Sequence, residues 1–173
     1  MPDPQRPDPS TGAPASDRQA TEPPAELTQW TTYLLRQAAL RAQDEVARAL
    51  APLGLRGPHY AVLAAIGAEP RSQATLAARL QTDRSTMVAV VDDLERLQLA
   101  ERRAHRTDRR AHAVTLTPAG RDLLARAHGA LAAADDALLA DTDAPDRAHL
   151  RRLLVRLIAG YDQRRGPRGP KER

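Results

Sequence analysis

The chain has 173 residues, no cysteine, no phenylalanine and only 2% aromatic content, so its core must be built from Leu, Val, Ile and Ala, a set that suits helices better than a β-sandwich. The absence of cysteine excludes disulfides, thiolate metal sites and a cysteine redox sensor, and no apolar run reaches the length of a spanning helix. A net charge of +4, with a sequence pI near 10.3, permits a nucleic acid or an acidic membrane as partner. Nearly all of the basic residues are arginine, as a GC-rich genome would produce, so placement carries more information than the total. The reading is of a cytoplasmic protein with no membrane segment.

Residues 1–24 hold seven prolines and no apolar periodicity, which predicts a disordered tail. From Ala25 a helix is predicted, with Leu27, Trp30, Leu34 and Ala38 near i, i+3, i+4 spacing and Leu35, Leu40, Val46 and Leu50 widening its stripe. It stops at Pro52 and Gly54. So long an apolar helix at the edge of a small domain implies a second surface to bury, such as a partner chain. Gly57 and Pro58 open a second helix with His59, Tyr60, Val62, Leu63 and Ile66 on its apolar side. Ser72 caps a short third helix, and Asp83 caps a fourth after a tight turn. Two short helices in that relation form a helix-turn-helix.

At 100° per residue, Met87, Val90, Val91, Leu94 and Leu97 of the fourth helix face inward, and Ser85, Ala89, Asp92 and Arg96 face outward. Arg84, Ser85 and Thr86 sit in the first turn beside the positive end of the helix dipole, chemistry suited to phosphates and base edges. Asp92 and Asp93 would repel phosphates, so only the N-terminal half is expected to enter a groove.

Leu99–Arg102 and Ala111–Leu116 read as two strands of a hairpin. Between them, residues 101–112 set five arginines, among them Arg106, Arg109 and Arg110, against Glu101 and Asp108. Arginine at a hairpin tip suits the narrow minor groove, where the potential is most negative. Thr117 and Pro118 start a fifth helix running to about Asp141. A sixth starts at Asp143 to Asp146 and carries Leu150, Leu153, Leu154, Leu157, Ile158 and Tyr161. Residues 164–173 form a basic tail rich in Pro and Gly.

Taken together, DRSTMVAVVDDLERLQLAERR and TDRRAHAVTLTPAG (residues 83–103 and 107–120) resemble the MarR family of winged helix-turn-helix regulators, over roughly Leu27 to Ile158. The resemblance implies a mainly α fold with a small β-wing, and a single domain over residues 25–163. Its dimerisation helices would lie near 25–51 and 118–163 and its winged helix-turn-helix near 57–117. It further implies a homodimeric repressor that binds a pseudo-palindromic operator in double-stranded DNA and is released by a small, often aromatic, ligand. By position, Asp108 would orient an arginine and Arg110 would enter the minor groove, with Arg109 able to share that role. Arg84, Ser85, Thr86, Ala89 and Arg106 complete the expected DNA contacts. Ala89 and Asp93 stand where polar or basic residues are frequent in the family, and Gln98 where glycine is, which points to thin base readout and a reshaped turn. For the effector cleft the scarce polar and aromatic groups are Trp30, Tyr33, His59 and Tyr60, with Arg36 the weakest candidate. His59 could instead bond only its own helix terminus.

No glycine-rich phosphate loop, G-x-S-x-G or H-E-x-x-H occurs, and no two of the five histidines share a helical face. The chain therefore reads as no enzyme, with no cofactor and no metal. Two alternatives stay open: a ligand-independent activator on the same fold, and a helical interaction module that docks a protein through Asp92, Asp93 and Glu95.

Overall fold

The computed structural model describes residues 24–104 and 112–165. The chain divides into two compact units, 1–36 and 37–173, with the boundary inside one helix. In the first unit a single turn, α1 (Ala25–Thr28), precedes the start of α2 (Thr31–Leu50). The expected uninterrupted helix is thus broken at Gln29 and Trp30. Thr28 donates its hydroxyl to the Ala25 carbonyl and Gln29 its amide to that of Glu26, side-chain bonds that compete with the backbone ladder.

In the second unit, α2 closes through a 3-10 turn at Ala51–Leu53. Then come α3 (Gly57–Gly67), a short strand β1 (Arg71–Ser72), α4 (Gln73–Arg79) and α5 (Arg84–Arg96). The hairpin strands β2 (Ala100–Ala104) and β3 (His112–Leu116) follow, then α6 (Pro118–Leu138) and α7 (Ala144–Arg165). The sheet is antiparallel in the order β1-β3-β2, with Ala100 opposite Leu116 and Ala104 opposite His112. Sequence periodicity missed β1 because two residues show no alternation; it is recruited by pairing Arg71 with Val114 and Ser72 with Ala113.

The core gathers Leu50, Val62, Leu63, Leu76, Met87, Val91, Leu94 and Val114, all essentially without solvent contact, so α2, α3, α4, α5 and β3 share one apolar centre. Leu97 does not join it. The helix ends at Arg96 and Leu97 is 46% exposed.

Three helical segments close in the same way: an amide bonds back five residues, Leu55 to Leu50, Thr82 to Ala77 and Leu99 to Leu94. Each closure puts one residue in the left-handed region, Gly54 (φ 67°), Gln81 (φ 51°) and Gln98 (φ 58°). Glycine is at home there; the two glutamines are strained. Gln81 is the turn of the helix-turn-helix, and Gln98 is the turn into the hairpin, the reshaped turn expected there.

Helix α7 differs from the others. Val155, Leu157 and Ile158 are each about half exposed or more, and its apolar residues belong to none of the described core. No helix among the described residues is long and apolar enough to cross a membrane.

Candidate nucleic-acid interface

Helix α5 starts where Asp83 folds its carboxylate over the first turn. Oδ1 accepts from the Thr86 amide at 2.8 Å and from the Ser85 hydroxyl at 2.6 Å, and Oδ2 accepts from the Thr86 hydroxyl at 2.7 Å. These bonds, the one from Ser85 foremost, hold the Asp83 carboxyl far below its ordinary range. They also fix the polarity of the surface. With both hydroxyl protons committed to Asp83, Ser85 and Thr86 are left with oxygen lone pairs, acceptors of the kind that an exocyclic amine of adenine or cytosine would satisfy. Arg84 beside them is exposed and makes no hydrogen bond or ion pair with the described residues, and Ala89 one turn on is exposed as well. The first turn therefore offers one free cation and two acceptors.

The acids behind this turn are not a bare anionic face. Arg102 on β2 sends one guanidinium nitrogen to Asp92 at 2.6 Å and the other to Glu95, while its own amide donates to Glu95 Oε1 at 2.8 Å. Asp93 receives Arg56 at 2.5 Å and Arg96. Three carboxylates thus meet three guanidiniums, and the face expected to dock an acidic-patch reader or to repel phosphate is internally neutralised. Sequence spacing could not supply this, since Arg56 lies 37 residues from Asp93.

His59 is 5% exposed and does more than cap its own helix. Its Nδ1 accepts from the Arg56 amide at 3.3 Å, and its Nε2 lies between the Arg56 guanidinium at 3.0 Å and the Asp93 carboxylate at 3.4 Å. Burial holds its pKa below 6.5, against the opposing pull of the Asp93 hydrogen bond. The start of α3 is thereby tied to the recognition helix.

At the base of the hairpin, Thr117 caps α6. Its hydroxyl accepts from the Gly120 amide at 2.9 Å and donates to the Gln98 carbonyl at 2.7 Å. A Cβ on Gly120 would lie 1.9 Å from the Leu99 carbonyl oxygen, so only glycine permits this approach. The LTPAG segment is a joint between hairpin and helix. The hairpin tip, with Arg106, Asp108, Arg109 and Arg110, lies outside the described residues.

Of the effector candidates, Trp30, Tyr33 and Arg36 lie in the first unit, with Trp30 and Arg36 exposed and Tyr33 half-buried. In the second, Tyr60 lines a cleft of about 360 Å³ between α2, α3 and α6. Its ring meets that of His128 edge to face, centroids 5.7 Å apart. His128 was not singled out in the sequence; only its position nearly three turns into α6, opposite Tyr60, reveals it. His59 points instead to the Asp93 network. No group of three or more metal-ligating side chains occurs among the described residues.

The MarR family model matches residues 53–111. The chain is 34% identical over 126 residues to the HTH-type transcriptional repressor Rv2887 of Mycobacterium tuberculosis, covering 72% of this chain and 91% of that one. Among solved structures it is similar to a transcriptional repressor, CouR, bound to a 23-mer DNA duplex, at 32% identity and a TM-score of 0.72, covering 78% of this chain and 96% of that one. It is also similar to Rv2887 in complex with salicylic acid, at 33% identity and a TM-score of 0.63, covering 74% and 96%. At that identity and coverage, the chain belongs to the MarR family.

Proposed function

We propose that this protein is a homodimeric transcriptional repressor, not an enzyme, that binds a pseudo-palindromic operator in the cytoplasm and leaves it when a small ligand binds. The observation that carries the reading is the first turn of α5: a free Arg84 and two oriented hydroxyl acceptors stand at its tip, while every acid behind them on that helix has a guanidinium partner. Such a tip suits a major groove, with Ser85 and Thr86 on base edges and Arg84 on phosphate. Arg110, with Arg109, Arg106 and Asp108 around it, would take the minor groove. Dimerisation is supported by the half-exposed apolar side chains of α7 and by those of Leu27, Trp30 and Leu34 near the N-terminus, an apolar area that a lone soluble chain rarely leaves in water. That one relative was solved on a DNA duplex and another with salicylic acid is consistent with both halves of the reading.

The test is a mobility shift against the DNA upstream of the protein's own gene across a salt series. Tight binding with a steep salt slope is expected. Arg110→Ala should weaken binding to every duplex and leave the dimer intact, whereas Ser85→Ala or Thr86→Ala should change sequence preference. No retardation at low salt would overturn the reading.

A further inference from the structure

The cleft beside Tyr60 carries a charge pattern that bears on what it binds, and its use as an effector site rests on the ligand-released repressor reading above. Its wall is the Tyr60–His128 ring pair, its floor is apolar, with Val46 and Leu131, and its charged lining is Glu45 and Asp135. No lysine or arginine lines it among the described residues. Arg48 reaches Glu45 at 2.7 Å and Arg151 reaches Asp135 at 3.5 Å, but these guanidiniums are 69% and 74% exposed and approach from outside the cleft. Such solvated pairs hold weakly, and Glu45, with its side chain only 25% exposed, keeps an anionic oxygen close to the cavity.

We infer that the ligand of this cleft is a protonated aromatic amine, opposite in charge to the salicylic acid held by the mycobacterial relative. A ligand carboxylate would face the part-buried carboxylate of Glu45 and the exposed one of Asp135, with no guanidinium in the lining to receive it. An ammonium group instead replaces Arg48 on Glu45 with a charge-assisted hydrogen bond. Its ring packs against Tyr60 and His128, where an aromatic face also favours a nearby cation. A volume of about 360 Å³ suits one small aromatic molecule.

The experiment compares two probes with the same phenol ring, tyramine and 4-hydroxyphenylacetate, by titration calorimetry on the full chain and by release of a fluorescent duplex carrying the upstream DNA. Tyramine should bind on the order of tenfold tighter than the acid, and Glu45→Gln should remove that advantage while leaving the acid unchanged. Arg48→Ala, which removes the competing cation, should tighten tyramine further, an effect that a purely structural role for Glu45 would not produce. The inference is overturned if the acid binds as well as tyramine, if neither binds, or if Glu45→Gln leaves tyramine untouched. Release of the duplex by the acid alone would sink the amine preference and keep the ligand-released repressor. Tyramine bound through Glu45 without release of the duplex would do the reverse.

Discussion

The guanidinium of Arg102 lies 2.6 Å from the carboxylate of Asp92 and holds Glu95 with its other nitrogen, so the first strand of the hairpin is fastened to the flank of the recognition helix. Arg102→Ala should therefore do two separable things. It removes a half-buried bidentate pair, at a cost of about 1–2 kcal/mol in urea unfolding. It also uncovers two carboxylates beside the turn proposed to meet DNA, so duplex affinity measured by anisotropy should fall by more than the loss of one cation explains. Arg102→Lys should recover only part of either, since an ammonium cannot fork between two acids.

The His59 site predicts a pH dependence. The unfolded chain protonates this imidazole near 6.5, while the folded chain, which buries it neutral against Asp93, does so only at lower pH. Between those values the unfolded state binds more protons, so stability is full above about pH 6.5 and declines as pH falls below it. Denaturation midpoints measured from pH 7.5 to 5 should show that decline, and His59→Gln should flatten it. An unchanged slope in the variant would show that another group titrates.

Gly120→Ala should be among the most damaging single changes in the chain. The added carbon meets a backbone oxygen that is itself part of the hairpin base, at 1.9 Å, and no side-chain rotation relieves it. A loss of about 3 kcal/mol is expected. Thermal melting reads it directly, and a melt within a degree or two of the parent would mean that Leu99 and α6 can move apart.

Gln98→Gly works in the opposite direction. Residue 98 closes α5 at φ 58°, where a side chain costs about 1 kcal/mol and glycine little, offset in part by the greater freedom of glycine in the unfolded chain. A net gain of about 0.5 kcal/mol is expected in urea titrations, with no effect on the Leu99 to Leu94 bond that closes the helix.

How far the sequence reached follows from the range of its signals. The helix starts at Ser72, Asp83 and Thr117 were legible because capping is a local exchange between a side chain and an amide three residues on. The inward face of α5 was legible from periodicity, except for Leu97, where the helix had already ended. The two-residue β1 has no pattern of its own and exists only through its neighbour. Reading Asp92, Asp93 and Glu95 as a bare acidic face failed for a related reason: their partners Arg56 and Arg102 come from other elements, and sequence distance hides that neutralisation. The same holds for Tyr60 and His128, which are 68 residues apart and become a pair only when α3 packs against α6. The turn at Gln98 was flagged by the family resemblance, in which glycine is frequent there, and the left-handed region explains why glycine is the usual residue.

The tight seat of Gly120 has a mechanical result. Helix α6 carries that residue in its first turn and His128 two turns later, so one stiff lever has the cleft beside Tyr60 along its shaft and the root of the hairpin at its fulcrum. With no slack at that joint, a molecule pressing α6 sideways at the cleft is expected to shift the root of the hairpin with it, with no hinge between them to absorb the push.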